Sequence, residues 1–203
     1  MNDPYLLFLG FIVGLSGAMI PGPLLVYTIA ESLRKGWKTG FYVIVGHAIV
    51  EVGIMAFLIM GVSALMTSEL FVKSVSLVGG AFMAYTAVTL FKSSWEIGET
   101  KDALRYGTVA GGMLFTALNP SFPVWWATAG ARLLVEGFKN AGLTGALMVF
   151  IGHWMADFGY FMVVSSLVTR GREKLISRYV NTVKNILAAL LLAIGAYFIT
   201  TGL

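Results

Sequence analysis

The sequence predicts an all-α membrane protein with six transmembrane helices, arranged as two inverted three-helix repeats in which helices one and four are broken at proline. Three observations support this fold class. Of the 203 residues, 58% are hydrophobic, and the 14 basic and 10 acidic side chains make up only 12% of the chain. Six long apolar stretches follow one another along the chain. A short motif surrounds both of the two histidines.

The composition excludes most classes of soluble protein. A soluble domain carries about 25% charged residues, and one of ~200 residues still exposes much of its surface to water. We therefore do not expect a soluble enzyme, a disordered chain or a nucleic-acid-binding module. The chain has no cysteine, which removes disulfides, thiolate metal sites and thiol redox chemistry. We expect no resident cofactor, no nucleic-acid partner, and a lipid bilayer as the surrounding medium.

The six spans can be placed by length, because a helix needs ~20 mostly apolar residues to cross a bilayer. A membrane β-barrel would instead show short segments of alternating hydrophobicity. The spans leave room only for short loops, so we expect one transmembrane domain over residues 1–203, with repeat one at 1–91, a connecting loop at 92–105 and repeat two at 106–203. The predicted spans are 4–30, 39–68, 74–91, 106–131, 140–169 and 185–203.

The basic residues predict how the helices are oriented in the membrane. Loops on the cytoplasmic side of membrane proteins carry an excess of Lys and Arg. Of the 14 basic residues, only Lys73, Arg132 and Lys139 follow spans two and four. We therefore expect a multi-pass protein of the cell membrane with both termini outside. The remaining basic residues follow spans one, three and five: Arg34, Lys35, Lys38, Lys92, Lys101, Arg105, Arg170, Arg172, Lys174, Arg178 and Lys184.

An internal repeat is visible around the two histidines. Residues 46–53 and 152–159 both read Gly-His-x-x-x-acid-x-Gly, and these segments lie in spans two and five. Self-similarity of this kind is typical of a repeated structural unit. Because each unit has three helices, an odd number, the second copy has inverted topology, as in many secondary transporters.

Prolines interrupt spans one and four at matching positions. Proline lacks an N–H group and clashes with the carbonyl four residues earlier. Interrupted backbone at membrane depth is tolerated where protein or a wet cavity satisfies it, and the half-helix that begins there points N–H groups at the centre. The alternative is a purely structural kink. The six candidate binding residues are Pro21, Gly22, Pro23, Asn119, Pro120 and Ser121.

Each histidine lies four residues before an acid, so each pair shares a helix face: His47 with Glu51, and His153 with Asp157. A charge at the centre of a span costs roughly 2.5–3.5 kcal/mol on insertion scales, so these side chains should face the bundle interior. Imidazole titrates near neutral pH, which suits proton coupling. The four residues therefore predict a site that binds a cationic group or relays protons. The alternative is that they only lock helices together.

These features resemble the LysE/RhtB family of amino-acid exporters over essentially the whole chain. The resemblance depends on six spans, Pro21-Gly22-Pro23 followed by the spacing of Gly36 and Gly40, and the Asn119-Pro120 pair. Most members have a Lys soon after that pair, whereas this chain resembles a variant branch with Gly-His in helices two and five. The resemblance implies export of basic or small neutral amino acids, coupled to protons or to the membrane potential.

From this resemblance we predict how the substrate binds. Its carboxylate would meet N–H groups near residues 22–25 and 121–122, and its ammonium would meet Glu51 or Asp157. His47 and His153 would tune the site or relay protons, and the two repeats would rock around it to alternate access. Association of two copies into a homodimer stays open.

Two other functions remain as alternatives. A divalent-metal exporter could use the two histidines and two carboxylates, whose N and O atoms suit Zn, Ni, Co or Mn, provided that the two pairs converge. An intramembrane serine hydrolase could use Ser16, because residues 14–17 read Gly-Leu-Ser-Gly, a short string found in rhomboid proteases. We expect no enzyme activity, no catalytic residue and no resident metal site.

Overall fold

The computed structural model describes residues 3–60, 68–92, 107–171 and 180–202, and within these ranges every element is helical. The predicted connecting loop after Lys92 lies outside the described residues, as do the basic residues Lys101, Arg105, Arg172, Lys174 and Arg178. The elements are α1 (Asp3–Ala18), α2 (Pro23–Lys35), α3 (Thr39–Ile59), α4 (Glu69–Lys92), α5 (Thr108–Ala117), α6 (Ser121–Trp125), a π-helical turn (Trp126–Gly130), α7 (Ala131–Gly171) and α8 (Val180–Gly202).

The helices confirm an all-α membrane protein. Within the described ranges, four helical segments are long and apolar enough to cross a membrane: Thr39–Leu58, Glu69–Lys92, Ser121–Gly171 and Asn181–Gly202. The bent pair α1 and α2 would make a fifth span. Backbone angles are not helical at Ala141 and Gly142, where Gly142 has a φ of 58°, so α7 consists of two arms. The count of six spans stays a prediction.

Both predicted interruptions are present. The segments Pro4–Ala18 and Pro23–Lys35 meet at an angle of 80°. Gly22 precedes α2 in an extended conformation, and Pro23 occupies the first turn, where its missing N–H costs nothing. In the second half, α5 ends at Ala117 and α6 begins at Ser121, directly after Pro120. Each interruption therefore coincides with proline, as the sequence predicts.

Close helix contacts recur in the two halves of the chain. The first half-helix of one half packs on the histidine helix of the other: α1 contacts α7, and α5 contacts α3. Glycines allow these approaches, since small residues let membrane helices pack backbone to backbone. The inverted repeat stays a prediction, although its two histidine helices make equivalent contacts. The close pairs are Gly10 with Val149, Gly152 with Leu7, Gly46 with Val109, and Gly112 with Val43.

The helix α2 lies in the middle of the bundle, whereas the outer helices present apolar side chains outward. Tyr27, Thr28 and Ser32 on α2 are almost fully buried. Large apolar side chains such as Phe8 and Leu70 are exposed on α1 and α4. Such exposure is expected where lipid rather than water surrounds a helix, because a bilayer does not penalise apolar surface.

Candidate functional site

A cavity of about 280 Å³ lies between α2, α3, α6, α7 and α8, next to both interruptions. Nine of the ten residues predicted from the sequence line it. The tenth, Pro120, is buried at the start of α6 and is not part of the lining. The nine are Pro21, Gly22, Pro23, His47, Glu51, Asn119, Ser121, His153 and Asp157.

The two histidine–acid pairs converge into one group, which we call the four-residue cluster: His47 and Glu51 on α3, and His153 and Asp157 on α7. One ligand-type atom from each residue lies within 4.8 Å of the other three. Each imidazole faces both carboxylates. His153 Nε2 lies 2.8 Å from Glu51 Oε1 and 3.1 Å from Asp157 Oδ2. His47 Nε2 lies 3.1 Å from Glu51 Oε1 and 3.6 Å from Asp157 Oδ2.

Two indoles hold the carboxylate of Glu51. Trp154 Nε1 donates to Oε2 at 2.7 Å, and Trp126 Nε1 donates to Oε1 at 3.2 Å. Trp126 belongs to the π-helical turn that follows α6, a type of element often found at functional sites. Sequence reasoning missed these roles. The available signal was that Trp154, whose indole can only donate, directly follows His153 in the repeated motif.

A hydroxyl group fixes the proton position on His47. Thr116 Oγ1 donates its single hydrogen to the carbonyl of Gly112 at 2.7 Å. His47 Nδ1 lies 2.9 Å from the same oxygen, and with the hydroxyl hydrogen on the Gly112 carbonyl the hydrogen of that bond is assigned to Nδ1. When the ring is neutral, its Nε2 therefore presents a lone pair to the four-residue cluster.

Two polar atoms of the cluster have no hydrogen-bond partner within the described part of the chain: His153 Nδ1 and Asp157 Oδ2. Both residues are 3% exposed. His153 Nε2 and His47 Nε2 lie 3.1 and 3.6 Å from Asp157 Oδ2, at ion-pair distance, but neither makes a hydrogen bond to it. The ring of Trp125 stacks on His153, with centroids 5.1 Å apart. Asp157 therefore offers the cavity an oxygen with an unused lone pair.

The beginning of α2 supplies N–H groups to the same cavity. Pro23 has no N–H group, and the N–H of Val26 bonds to the Gly22 carbonyl at 3.2 Å. The N–H groups of Leu24 and Leu25 have no acceptor among the described residues, and both residues line the cavity. Helix N-termini of this kind favour anions.

The second interruption corrects part of the predicted site. We expected free N–H groups at residues 121–122. Instead, Ser121 N–H donates to Asn119 Oδ1 at 3.1 Å, and Phe122 N–H donates to the Asn119 carbonyl at 3.0 Å. Because Asn119 caps its own half-helix, these donors are already used. The two half-helices are therefore not equivalent as anion sites.

A family model described as a LysE type translocator matches residues 15–202. The chain belongs to this family. No curated protein and no solved structure matches it. The family model confirms the resemblance drawn from the sequence. Membership makes this chain a multi-pass membrane protein and indicates export of amino acids or similar solutes.

The surroundings of Ser16 offer little support for the serine-hydrolase alternative. Ser16 is exposed, and its hydroxyl donates to the carbonyl of Val13 in the same helix at 2.7 Å. It does not line the cavity that holds the histidines. Within the described residues, no hydrogen bond joins Ser16 to an imidazole, so the nucleophile–base pair of a serine hydrolase is not formed. Translocator membership agrees with a transport role.

Proposed function

We propose that this LysE type translocator exports amino acids, basic or small neutral, across the cell membrane by alternating access. One observation carries the proposal: a single cavity has a positive pole and a negative pole. The positive pole is the pair of N–H groups of Leu24 and Leu25 at the start of α2. The negative pole is the pair of carboxylates of Glu51 and Asp157.

The two poles suit a zwitterion. A substrate carboxylate would accept hydrogen bonds at the positive pole, where the helix dipole adds a partial positive charge. The substrate ammonium would face the negative pole. No lysine or arginine among the described residues lines the cavity. A substrate carboxylate would therefore be bound by the N–H groups at the start of α2 rather than by a cationic side chain.

Size and surroundings support a small cargo. The volume of about 280 Å³ lies just below the ~300–1,000 Å³ typical of small-molecule pockets. Aromatic side chains form part of the wall, including Phe122, Trp125 and Tyr197. Such rings attract an ammonium group through their negative faces. An amino acid fits these properties better than a nucleotide or a lipid.

The position of α2 supports a link between binding and access. Its first residues form the positive pole, while its last turn contacts two helices in the second half of the chain. Ser32 Oγ lies 2.8 Å from Ser165 Oγ on α7, and Lys35 Nζ donates to Thr108 Oγ1 on α5 at 3.0 Å. Movement of α2 on substrate binding would therefore disturb contacts at its far end. Coupling to protons or to the membrane potential stays a prediction, as does pairing of two copies.

Transport in proteoliposomes tests the proposal. We expect Glu51→Gln and Asp157→Asn to lower counterflow of radiolabelled amino acids at least about tenfold, which corresponds to a loss of about 1.4 kcal/mol. Glu69→Gln is the matched control, since that side chain is 82% exposed at the start of α4. Normal counterflow by both cluster variants would contradict the assignment. Size-exclusion profiles and melting temperatures would verify that each variant is folded.

A further inference from the structure

We infer that the four-residue cluster is a binding site for one divalent transition-metal ion of the Zn²⁺ or Co²⁺ class. This inference goes beyond amino-acid export and depends on the cluster alone. Two imidazole nitrogens and two carboxylate oxygens form a mixed N and O ligand set. Such a set favours Zn²⁺, Co²⁺ or Ni²⁺ over the all-oxygen environments typical of Mg²⁺ and Ca²⁺.

The nitrogen–oxygen spacing in the cluster is close to that around a tetrahedral ion. Bonds of about 2.0–2.1 Å to His and carboxylate ligands place neighbouring ligand atoms about 3.3 Å apart. In the cluster, the four nitrogen–oxygen separations are 2.8, 3.1, 3.1 and 3.6 Å. The two nitrogens and the two oxygens all lie within 4.8 Å of one another, so rotation of the side chains would bring the four atoms around one ion.

The groups behind the ligands are arranged as around metal sites. A metal-binding histidine usually donates its second N–H to a fixed acceptor, which orients the ring. His47 does so through Nδ1 to Thr116, which is anchored on the Gly112 carbonyl. Glu51 is held by the indole of Trp154 at Oε2, so that Oε1 faces the two imidazoles. Two of the four ligand atoms, His47 Nε2 and Glu51 Oε1, are thereby oriented before an ion arrives.

Charge provides an independent argument. With neutral imidazoles, the two carboxylates carry a net charge of −2, and buried charge without compensation is costly. No Lys or Arg in the described ranges lines the cavity. A divalent cation would cancel this charge completely, whereas one ammonium would cancel half of it. Asp157 Oδ2, which is buried and has no hydrogen-bond partner among the described residues, is a ready ligand.

The ion and an amino acid would exclude each other, because both need Glu51 and Asp157. We therefore expect Zn²⁺ to inhibit amino-acid counterflow. Only this expectation depends on the proposed function. Metal binding to the purified protein depends on the geometry of the cluster, so the two proposals can fail separately.

Titration of the purified full chain with Co²⁺ tests the inference. The protein would be treated with chelator and purified through a tag without histidine. We expect one Co²⁺ to bind per chain and to show the visible absorption of a four-coordinate ion. Calorimetry should show that one Zn²⁺ per chain binds in competition with Co²⁺. His153→Gln and Asp157→Asn should each abolish this signal. Thr116→Val keeps all four ligands but removes the acceptor of His47 Nδ1, so it should weaken affinity about 10–100-fold.

Control variants make the result decisive. Thr128→Val is the matched threonine control, because its hydroxyl is exposed and bonds to the Val124 carbonyl one turn earlier at 2.8 Å. It should bind Co²⁺ like the wild type. Absence of saturable Co²⁺ and Zn²⁺ binding to folded wild-type protein would overturn the inference. Binding that persists in the double variant of His153→Gln and Asp157→Asn, or equal affinity of Thr116→Val and Thr128→Val, would do so too.

Discussion

Glu51 Oε1 lies 2.8 Å from His153 Nε2, although 102 positions separate the two residues in the chain. This contact joins the first histidine–acid motif on α3 to the second on α7. Neither motif is therefore a self-contained pair. Their four ionisable side chains share one buried environment, where the charge on each depends on the other three, since interactions between charges are strong at low dielectric.

The close packing of α1 on α7 depends on glycine at position 152. A Cβ added to Gly152 would collide with the Leu7 carbonyl oxygen and lie 3.0 Å from Phe11 N. We expect Gly152→Ala to lower the free energy of unfolding by about 1–3 kcal/mol, as overpacking does. Gly159→Ala, in the same helix with open space around it, should be neutral or stabilising. Equal melting temperatures of the two variants in detergent would contradict this packing.

The indole of Trp154 should matter as a hydrogen-bond donor and not only as a ring. Trp154→Phe leaves Glu51 Oε2 without the donor that the structure shows. Hydrogen bonds to charged groups contribute about 1.5–3 kcal/mol, so we expect a loss of that size in thermal or denaturant unfolding. Trp125→Phe is the control, since Trp125 stacks on His153. A loss as large for Trp125→Phe would show that ring packing, rather than the hydrogen bond, carries the effect.

Ser165 connects α7 to the segment between α2 and α3. Its hydroxyl donates to the Trp37 carbonyl at 2.8 Å and accepts from Gly40 N–H at 3.1 Å, and the residue is fully buried. Ser165→Ala leaves buried backbone groups unsatisfied, at a cost of about 1–3 kcal/mol in unfolding free energy. Ser16→Ala is the control, because Ser16 is exposed and its hydroxyl bonds within its own helix. It should change the free energy of unfolding by less than about 0.5 kcal/mol. Chemical unfolding monitored by tryptophan fluorescence would compare the two variants. Similar unfolding midpoints would contradict the stabilising role of the Ser165 hydroxyl.

The predicted orientation can be measured directly, because the natural chain has no cysteine. Lys139 and Lys38 are both exposed and lie on opposite predicted sides of the membrane. We expect Lys139→Cys to react with a membrane-impermeant maleimide in intact cells, and Lys38→Cys to react only after the membrane is disrupted. The reverse pattern would place both termini in the cytoplasm.

The sequence predicted nine of the residues that line the cavity but not the hydrogen bonds between them. Proline at positions 21, 23 and 120 marks the interruptions, because the effect of proline on a helix is local. The hydrogen bond from Ser121 N–H to Asn119 Oδ1 was not predicted, since the Asn119 side chain can face either the cavity or its own backbone. The contacts of Trp126 and Trp154 with Glu51 join distant segments, and no local pattern encodes such pairs.

The sequence by itself determined the membrane environment, the helical class, the proline interruptions and the family, because hydropathy, helix periodicity and backbone chemistry act over short stretches of chain. Only the tertiary structure decided that His47, Glu51, His153 and Asp157 form one cluster. It also decided that, of the two half-helices at the interruptions, α2 directs N–H groups without an acceptor among the described residues at the cavity. These features arise from the packing of α3 against α7 and from the local cap by Asn119. Contacts between helices that are far apart in the chain decide which side chains meet in the cluster. They also decide which backbone N–H groups remain without an acceptor.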